Sequence, residues 1–428
     1  MKKVLIISYY WPPAGGPGVQ RWLKFVKYLP DFNIEPIVYV PENATYPILD
    51  PDLEKDIRKD VQILKHPIKE PYKIAKFLTG KKSSNLSSGI IPDKNKQSKL
   101  EKLLLWIRGN LFIPDARVGW VKPSVNYLSA YLEKNPDIEI VITTGPPHSM
   151  HLIGEELKRL HKIKWIADFR DPWTSIGYHK QLKLSKVAEQ AHLDMEKEML
   201  QIADVIITTS YTTKKEFEQI TPKTIHVITN GYDVETIEKQ TLDEKFTISH
   251  IGSLLSKRNP RILWKALKEI LKENEQFRND FQLQLIGKVS QEIVDTIKEF
   301  KLDSYLNLVG YVSHSDALRY QRSSQLLLLI EIDSYETQGI IPGKLFEYMA
   351  AERPILAIGP EESDIAKVLK ETNTGKYFNY ENLEEVKDYI TNCYNLYLNK
   401  DLKVYGMGLQ YFSRKKLTEK LAKIINEN

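Results

Sequence analysis

Phe246-Thr247-Ile248-Ser249-His250-Ile251-Gly252-Ser253-Leu254-Leu255-Ser256-Lys257-Arg258-Asn259-Pro260 is the stretch on which the fold turns. It begins as a short apolar run that glycine ends, and the segment after Pro260, Arg261 to Glu273, carries a helical pattern. A strand, a glycine-bearing turn and a helix in that order open a βαβ unit of a parallel sheet. The chain has already begun this way once. Val4 to Ser8 is an apolar run, followed by Tyr9-Tyr10-Trp11-Pro12-Pro13-Ala14-Gly15-Gly16-Pro17-Gly18-Val19-Gln20-Arg21 and an apparent helix. Two such openings predict two domains.

Working outward, short apolar β-branched runs alternate with amphipathic stretches in both halves. The first half has Ile37 to Val40, Ile138 to Thr143, Trp165 to Asp168 and Val205 to Thr208. The second has Phe281 to Ile286, Leu306 to Val309, Gln325 to Ile330 and Pro354 to Ile358. Such runs suit strands covered on both faces. The fold class expected is α/β, with two Rossmann-like, doubly wound parallel-sheet domains in succession and a cleft between them. A turn at Asn230-Gly231-Tyr232-Asp233 leads into a polar stretch, which places the boundary near Gln240. The expected division is 1–240, 241–410 and a C-terminal helix over 411–428 that packs back on the first domain. Between 72 and 114 the pattern breaks into a basic, Ser-rich piece, Gly80 to Lys99, and an apolar, aromatic helix candidate, Leu100 to Phe112. That insertion reads either as a loop with a packing helix or as a membrane or lipid-acceptor contact through Lys81, Lys82, Trp106 and Arg108.

The 428 residues are too many for one ordinary core and suit two domains of about 200 each. Charged residues at 27% and hydrophobic ones at 42% describe a globular chain, not a disordered one. A single cysteine, Cys393, allows no internal disulfide and no zinc-binding cysteine pair, so a reducing cytoplasm is the expected setting. No apolar stretch approaches the roughly 18 to 20 residues of a membrane span. A net charge of +5 is weak for nucleic-acid binding but suits a phosphorylated substrate or loose contact with an anionic membrane.

Four loops carry candidate chemistry. In the first, Gly15, Gly16 and Gly18 lie between a strand and a helix, where backbone N–H groups can approach a phosphate or sugar. In the second, Ser253 is followed by Lys257 and Arg258 at a helix start, placed to neutralise a diphosphate as its leaving-group charge develops. Helix starts disfavour cations, so this pair points to an anion. The third runs Thr337-Gln338-Gly339-Ile340-Ile341-Pro342-Gly343-Lys344-Leu345-Phe346-Glu347 into a helix from about Lys344. There Glu347 is expected in the first helical turn to grip vicinal hydroxyls such as a ribose offers, beneath backbone N–H groups of Gly339, Ile340, Gly343 and Lys344. Gly287-Lys288 and Tyr311-Val312 are placed near the base. In the fourth, Pro146-Pro147-His148 follows a strand, and His148 either orients a sugar or caps the next helix. Asp168 and Asp171 flank Arg170, each aspartate reading as a base or as an ion-pair partner of that arginine. Asp115 and Arg117 read as a local pair beside a packed Trp120.

The segment Pro342 to Leu356, with Gly15-Gly16-Pro17-Gly18, Asp168-Phe169-Arg170-Asp171-Pro172-Trp173 and Asn230-Gly231-Tyr232-Asp233, resembles glycosyltransferase family 4, the retaining GT-B enzymes, and especially its bacterial surface-polysaccharide branch. The resemblance spans nearly the whole chain. The segment Asp115 to Trp120, with Arg117, is similar to one that lines the acceptor side in that family. It implies transfer of a sugar from a nucleoside diphosphate donor to a glycan or lipid-linked acceptor with retention, no enzymic nucleophile, no cofactor and no metal. It also implies a donor domain in the second half and an acceptor domain in the first, at the inner face of the cell membrane. Two positions depart from the family pattern. Gly339 stands where the first of a spaced pair of glutamates is usual, leaving Glu336 or backbone N–H groups to substitute, and Ser253 stands where an arginine is usual. An epimerase of the same shape and a non-catalytic sugar-nucleotide-binding subunit are the alternatives.

Overall fold

The computed structural model describes residues 1–70, 99–177, 179, 182–233 and 240–427. By contacts the chain forms two units: Met1–Asn230 with Arg414–Asn428, and Gly231–Ser413. The first boundary lies ahead of Gln240 because the chain is still tied down at its end. Arg21 Nη1 donates to the carbonyls of Ile228 and Thr229, at 2.8 and 2.9 Å.

Unit 1 is a seven-stranded parallel sheet of β1 (Lys2–Ile7), β2 (Ile34–Pro41), β3 (Gln62–His66), β4 (Ile138–Gly145), β5 (Lys164–Phe169), β6 (Val205–Thr208) and β7 (Ile225–Val227). Its order is β3-β2-β1-β4-β5-β6-β7. The described helices here are α1 (Pro17–Tyr28), α2 (Lys99–Leu111), α3 (Val121–Lys134), α4 (Ser149–Leu160), α5 (Lys186–Ile202) and α6 (Tyr211–Glu218). Alternate residues of β1 face opposite sides, which is why its run is continuously apolar. Val4 and Ile6 pack with Trp22 and Phe25 of α1, while Leu5 and Ile7 pack with Leu128 of α3 and Ile153 of α4.

Unit 2 repeats the plan with β8 (Phe246–Ile251), β9 (Phe281–Ile286), β10 (Leu306–Gly310), β11 (Leu326–Ile330), β12 (Ile355–Ile358) and β13 (Gly375–Phe378), ordered β10-β9-β8-β11-β12-β13. Its helices are α7 (Arg261–Glu273), α8 (Glu275–Asp280), α9 (Gln291–Glu299), α10 (His314–Ser323), α11 (Gly343–Ala350), α12 (Asp364–Thr372) and α13 (Leu383–Leu398). The last helix, α14 (Arg414–Glu427), belongs to unit 1 and buries Leu421, Ile424 and Ile425 beside α1. Each such side chain contributes roughly 1.5–3 kcal/mol of transfer free energy.

In both sheets the strand order reverses between the first strand and its neighbour, β1 against β4 and β8 against β11. Connections leave that point in opposite directions, opening a crevice at the carboxyl ends of the strands where ligands of doubly wound sheets bind. No helix among the described residues is long and apolar enough to cross a membrane. Lys81 and Lys82 of the predicted insertion lie outside the described residues. Trp106 and Arg108 are on α2.

Candidate active site

At the switch point of unit 2, β8 ends at Ile251 and the chain turns at Gly252, φ +125°, into Ser253. The Gly252 N–H bonds to the Ile286 carbonyl at 2.8 Å and the Leu254 N–H to the Lys288 carbonyl at 2.8 Å, locking this loop to the one after β9. Asn259 then bridges Trp264 and Thr296, at 2.8 and 2.9 Å. Between these anchors Ser256–Arg258 forms a single 3-10 turn. It leaves Ser253 and Lys257 exposed and half-buries Arg258, whose Nη2 lies 3.3 Å from Oε2 of Glu331, the residue immediately after β11.

Helix α11 delivers the rest. Pro342 caps it in an extended conformation, so the helix starts at Gly343. Glu347 consequently falls beyond the first turn, and the expected interaction with the helix start does not arise there. What holds Glu347 is Gln321 of α10, whose Nε2 donates to it at 3.0 Å. The next residue, Tyr348, fixes the helix to β8 by accepting the Ile251 N–H at 2.9 Å. This puts Lys344 over Gly252: a Cβ at that glycine would stand 3.1 Å from the Lys344 Nζ. Among the described residues the Lys344 ammonium has no hydrogen-bond or ion-pair partner. Burial lowers its pKa from 10.5 to about 8, the nearby Arg258 adding to the effect and Glu331 and Glu347 opposing it. A side chain with such a cation facing a glycine turn is arranged to receive an anion.

Several predicted backbone contacts in unit 2 are already used. The Ile340 N–H bonds to the Thr337 carbonyl at 3.0 Å, so it is not a donor for a ligand. The Gly287 N–H bonds to the Gly310 carbonyl at 2.7 Å and is likewise committed. The glycine is required because a Cβ there would meet the Gly252 carbonyl oxygen at 2.5 Å. Gly343 and Lys344, as the first residues of α11, have no carbonyl a turn earlier within the helix, so their N–H groups stay aimed past its start. Gly339 and Glu336 lie half-buried in the loop before it. Val312 lines a cavity of about 300 Å³ beside Asp316 and Tyr320 of α10.

In unit 1 the structure corrects the reading of Asp168. It is fully buried and accepts from Arg21 Nη2 at 2.8 Å, Arg21 Nε at 3.2 Å, Trp22 Nε1 at 2.7 Å and Thr144 Oγ1 at 3.1 Å. A carboxylate so enclosed is a structural anchor, neither a base nor a partner of Arg170. Arg170 turns instead to the carbonyls of Gly145 and Pro146, and its guanidinium occupies the space that a side chain at Gly18 would fill. Asp171 is partly exposed, its carboxyl pushed up by desolvation and held back by Arg170. Gly16, φ 107°, caps α1, and Gly15 is tied to the Ile48 carbonyl. A cation beside the start of a helix is again an arrangement that favours an anion.

Asp115, Arg117 and Trp120 also differ from their expected roles. Arg117 is buried over the Tyr9 ring, 4.6 Å from its centroid, with Nε 3.5 Å from Glu70. Trp120 stacks on Tyr39 at 5.0 Å. Asp115 accepts from the N–H groups of Arg117 and Ser149, both at 2.9 Å. These are packing and capping contacts, and burial keeps Arg117 and Trp120 from an acceptor.

His148 does not cap α4 with its side chain. It is 4% exposed, lies parallel to Trp173 at 4.8 Å, and neither ring nitrogen has a hydrogen-bond partner. Around it are His151, bonded to Thr143, and the edge-to-face pair His179 and His192. Desolvation holds all four below the ordinary 6.5, His151 at about 3 and His179 at about 4. These folded-state values are depressed, so below pH 6.5 the unfolded chain binds protons that the folded unit refuses. Stability is therefore present above 6.5 and lost as pH falls toward 4. Denaturant titrations are expected to show a loss of at least ~2 kcal/mol between pH 7 and pH 5. Equal stability at the two pH values would contradict the neutral cluster.

Sequence reasoning missed Arg21, Trp22, Gln321 and Glu331. Glu331 had a signal: it is the first residue beyond an apolar strand, where the strand's carboxyl end meets the crevice. Arg21 and Gln321 had none, since each meets its partner across the fold.

The two sheets define a two-domain GT-B architecture. Residues 90–236 match the family model described as Glycosyltransferase Family 4, and residues 245–395 match that of Glycosyl transferases group 1. The chain is a glycosyltransferase. Among solved structures it is similar to HepE of Anabaena in complex with UDP, at 12% identity with 100% of both chains covered and a TM-score of 0.63. It is similar also to a glycosyltransferase from Rickettsia africae, at 14% identity with 99% of this chain and 98% of that one covered and a TM-score of 0.62. Sucrose-phosphate synthase from Thermosynechococcus elongatus matches at 14% identity over 100% and 99% of the two chains, with a TM-score of 0.61. At these identities the likeness speaks for the fold alone. No curated protein sequence matches the chain.

Proposed function

We propose that the enzyme moves a sugar from a nucleoside diphosphate donor, with retention of configuration, to a glycan or lipid-linked acceptor in surface-polysaccharide synthesis at the inner face of the cell membrane. The observation that carries the donor part is the unpartnered Lys344 ammonium over Gly252, beside Arg258, at the switch point of unit 2. In this reading Lys344, Arg258, the exposed Lys257 and the N–H groups of Gly343 and Lys344 hold the diphosphate and stabilise the charge that develops on it as the sugar departs. Glu347, oriented by Gln321, takes the ribose hydroxyls. In unit 1 the Gly15 to Gly18 turn is assigned to a sugar, and His148, 4% exposed, is left out for the same reason as Arg117 and Trp120. Positioning and electrostatics supply the rate, and no metal or nucleophile is invoked. Leu103, Trp106 and Leu111 stand exposed on α2, which supports the membrane-face part of the reading.

A thermal-shift screen against UDP-, GDP-, ADP-, dTDP- and CMP-sugars tests the donor. The true donor raises the melting temperature by mass action, adding about 2.7 kcal/mol of stability at a hundred times its Kd. No shift with any of them would sink the reading. Release of nucleoside diphosphate that depends on an added acceptor then separates a transferase from an epimerase or a binding subunit.

A further inference from the structure

The carboxylate of Glu331 lies beside two of the cations assigned to the diphosphate, Arg258 and Lys344. It is 1% exposed, yet its Oε1 has no hydrogen-bond partner, and neither has the buried Nε of Arg258. Their one contact, Nη2 to Oε2 at 3.3 Å, is longer than the 2.7–2.9 Å usual for a charge-assisted bond. A buried ion pair persists as a structural element when its remaining lone pairs and protons are satisfied. Here both partners keep an unfilled position, and the pair is not a bidentate clamp. Lys344 adds a second positive charge that Glu331 does not bind. The Tyr380 hydroxyl fixes the Glu331 backbone, donating to its carbonyl at 2.7 Å, while Arg258, on its 3-10 turn, is half-buried.

Resting on the donor reading above, we propose that Glu331 is a positioning residue that stands in for the donor's diphosphate. It holds Arg258 while no donor is bound and yields it when a nucleoside diphosphate arrives. Two cations face one carboxylate, so a ligand with two or more negative charges takes both where Glu331 takes one. The exchange keeps Arg258 aimed at the crevice between turnovers. It also limits how tightly the product nucleoside diphosphate is held, because Glu331 competes for the same guanidinium as the product leaves.

The test is calorimetric titration of UDP, GDP, ADP and dTDP, and of the four matching nucleosides, into the full-length wild type and its Glu331→Gln and Glu331→Met variants. Folding of each is checked by its melting curve. The expected result is that whichever nucleoside diphosphate the wild type binds is held roughly ten-fold tighter by the variants, while affinity for the nucleoside is unchanged. A merely structural residue would give weaker binding of both. Unchanged or weaker diphosphate binding in a folded variant overturns the proposal, as does failure of both variants to fold. If the wild type binds none of the four diphosphates, the donor reading falls and this proposal with it.

Discussion

Replacing Asp168 with alanine is expected to destabilise unit 1 strongly and to leave the charged groups of unit 2 in place. The substitution strips Arg21, itself 5% exposed, of its carboxylate and leaves a buried guanidinium with only the carbonyls of Ile228 and Thr229. Breaking one side of a buried pair costs about 3–5 kcal/mol. Trp22 Nε1 and Thr144 Oγ1 lose their acceptor at the same time. A fall in melting temperature of roughly 10 °C follows for a unit of this size. Asp168→Asn keeps the shape and one acceptor, and is expected to lose less. The outcome that would overturn the assignment is a variant as stable as the wild type whose kcat alone collapses, since that is what removal of a base does.

Lys344→Ala is expected to lower kcat/KM by about 10²- to 10³-fold, the range found when one preorganised charge-stabilising donor is removed. Its fold should be intact, because the ammonium is engaged by no described residue and its burial is a cost. The pH dependence gives an independent signature. Between pH 8 and 10.5 the unfolded chain holds a proton that the folded chain has released from Lys344, so this side chain makes stability rise with pH across that window. An anion binds the protonated form, so nucleoside diphosphate affinity should fall as pH climbs through 8. In Lys344→Ala both trends should vanish. Titrations at pH 6.5, 8 and 9.5 decide it, and a wild-type affinity that is flat over that range removes Lys344 from the diphosphate.

How much of this was legible in the chain differs by layer. Central strands could be read because a strand covered on both faces is apolar at every position, as in Val4 to Ile7 and Leu326 to Ile330. The strands that escaped, β3, β7 and β13, are edge strands of their sheets, short and with polar or half-exposed residues. Composition near an edge carries little pattern for the eye to find. The glycine turns before α1 and after β8 were visible because positive φ and close backbone approach demand the residue. Glu347 was placed one residue too early in its helix because the extended conformation of Pro342, which sets the start at Gly343, cannot be read from a single residue type.

The sequence by itself determined the two-unit α/β plan, the glycine-bearing turns at both switch points and the presence of Lys257 and Arg258 after β8 and of Lys344 and Glu347 early in α11. Those features are local: each follows from a run of residues, a turn or a helix start. Tertiary structure alone decided which charges meet. Asp168 looked free beside Arg170, yet packing of α1 against the sheet brings Arg21 and Trp22 onto it from 146 to 147 residues away. Arg258 looked unopposed, yet the parallel pairing of β8 with β11 sets Glu331 against it across 73 residues. A charge's partner is fixed by the register of strands and the seating of helices, and no window of sequence contains both ends of that contact.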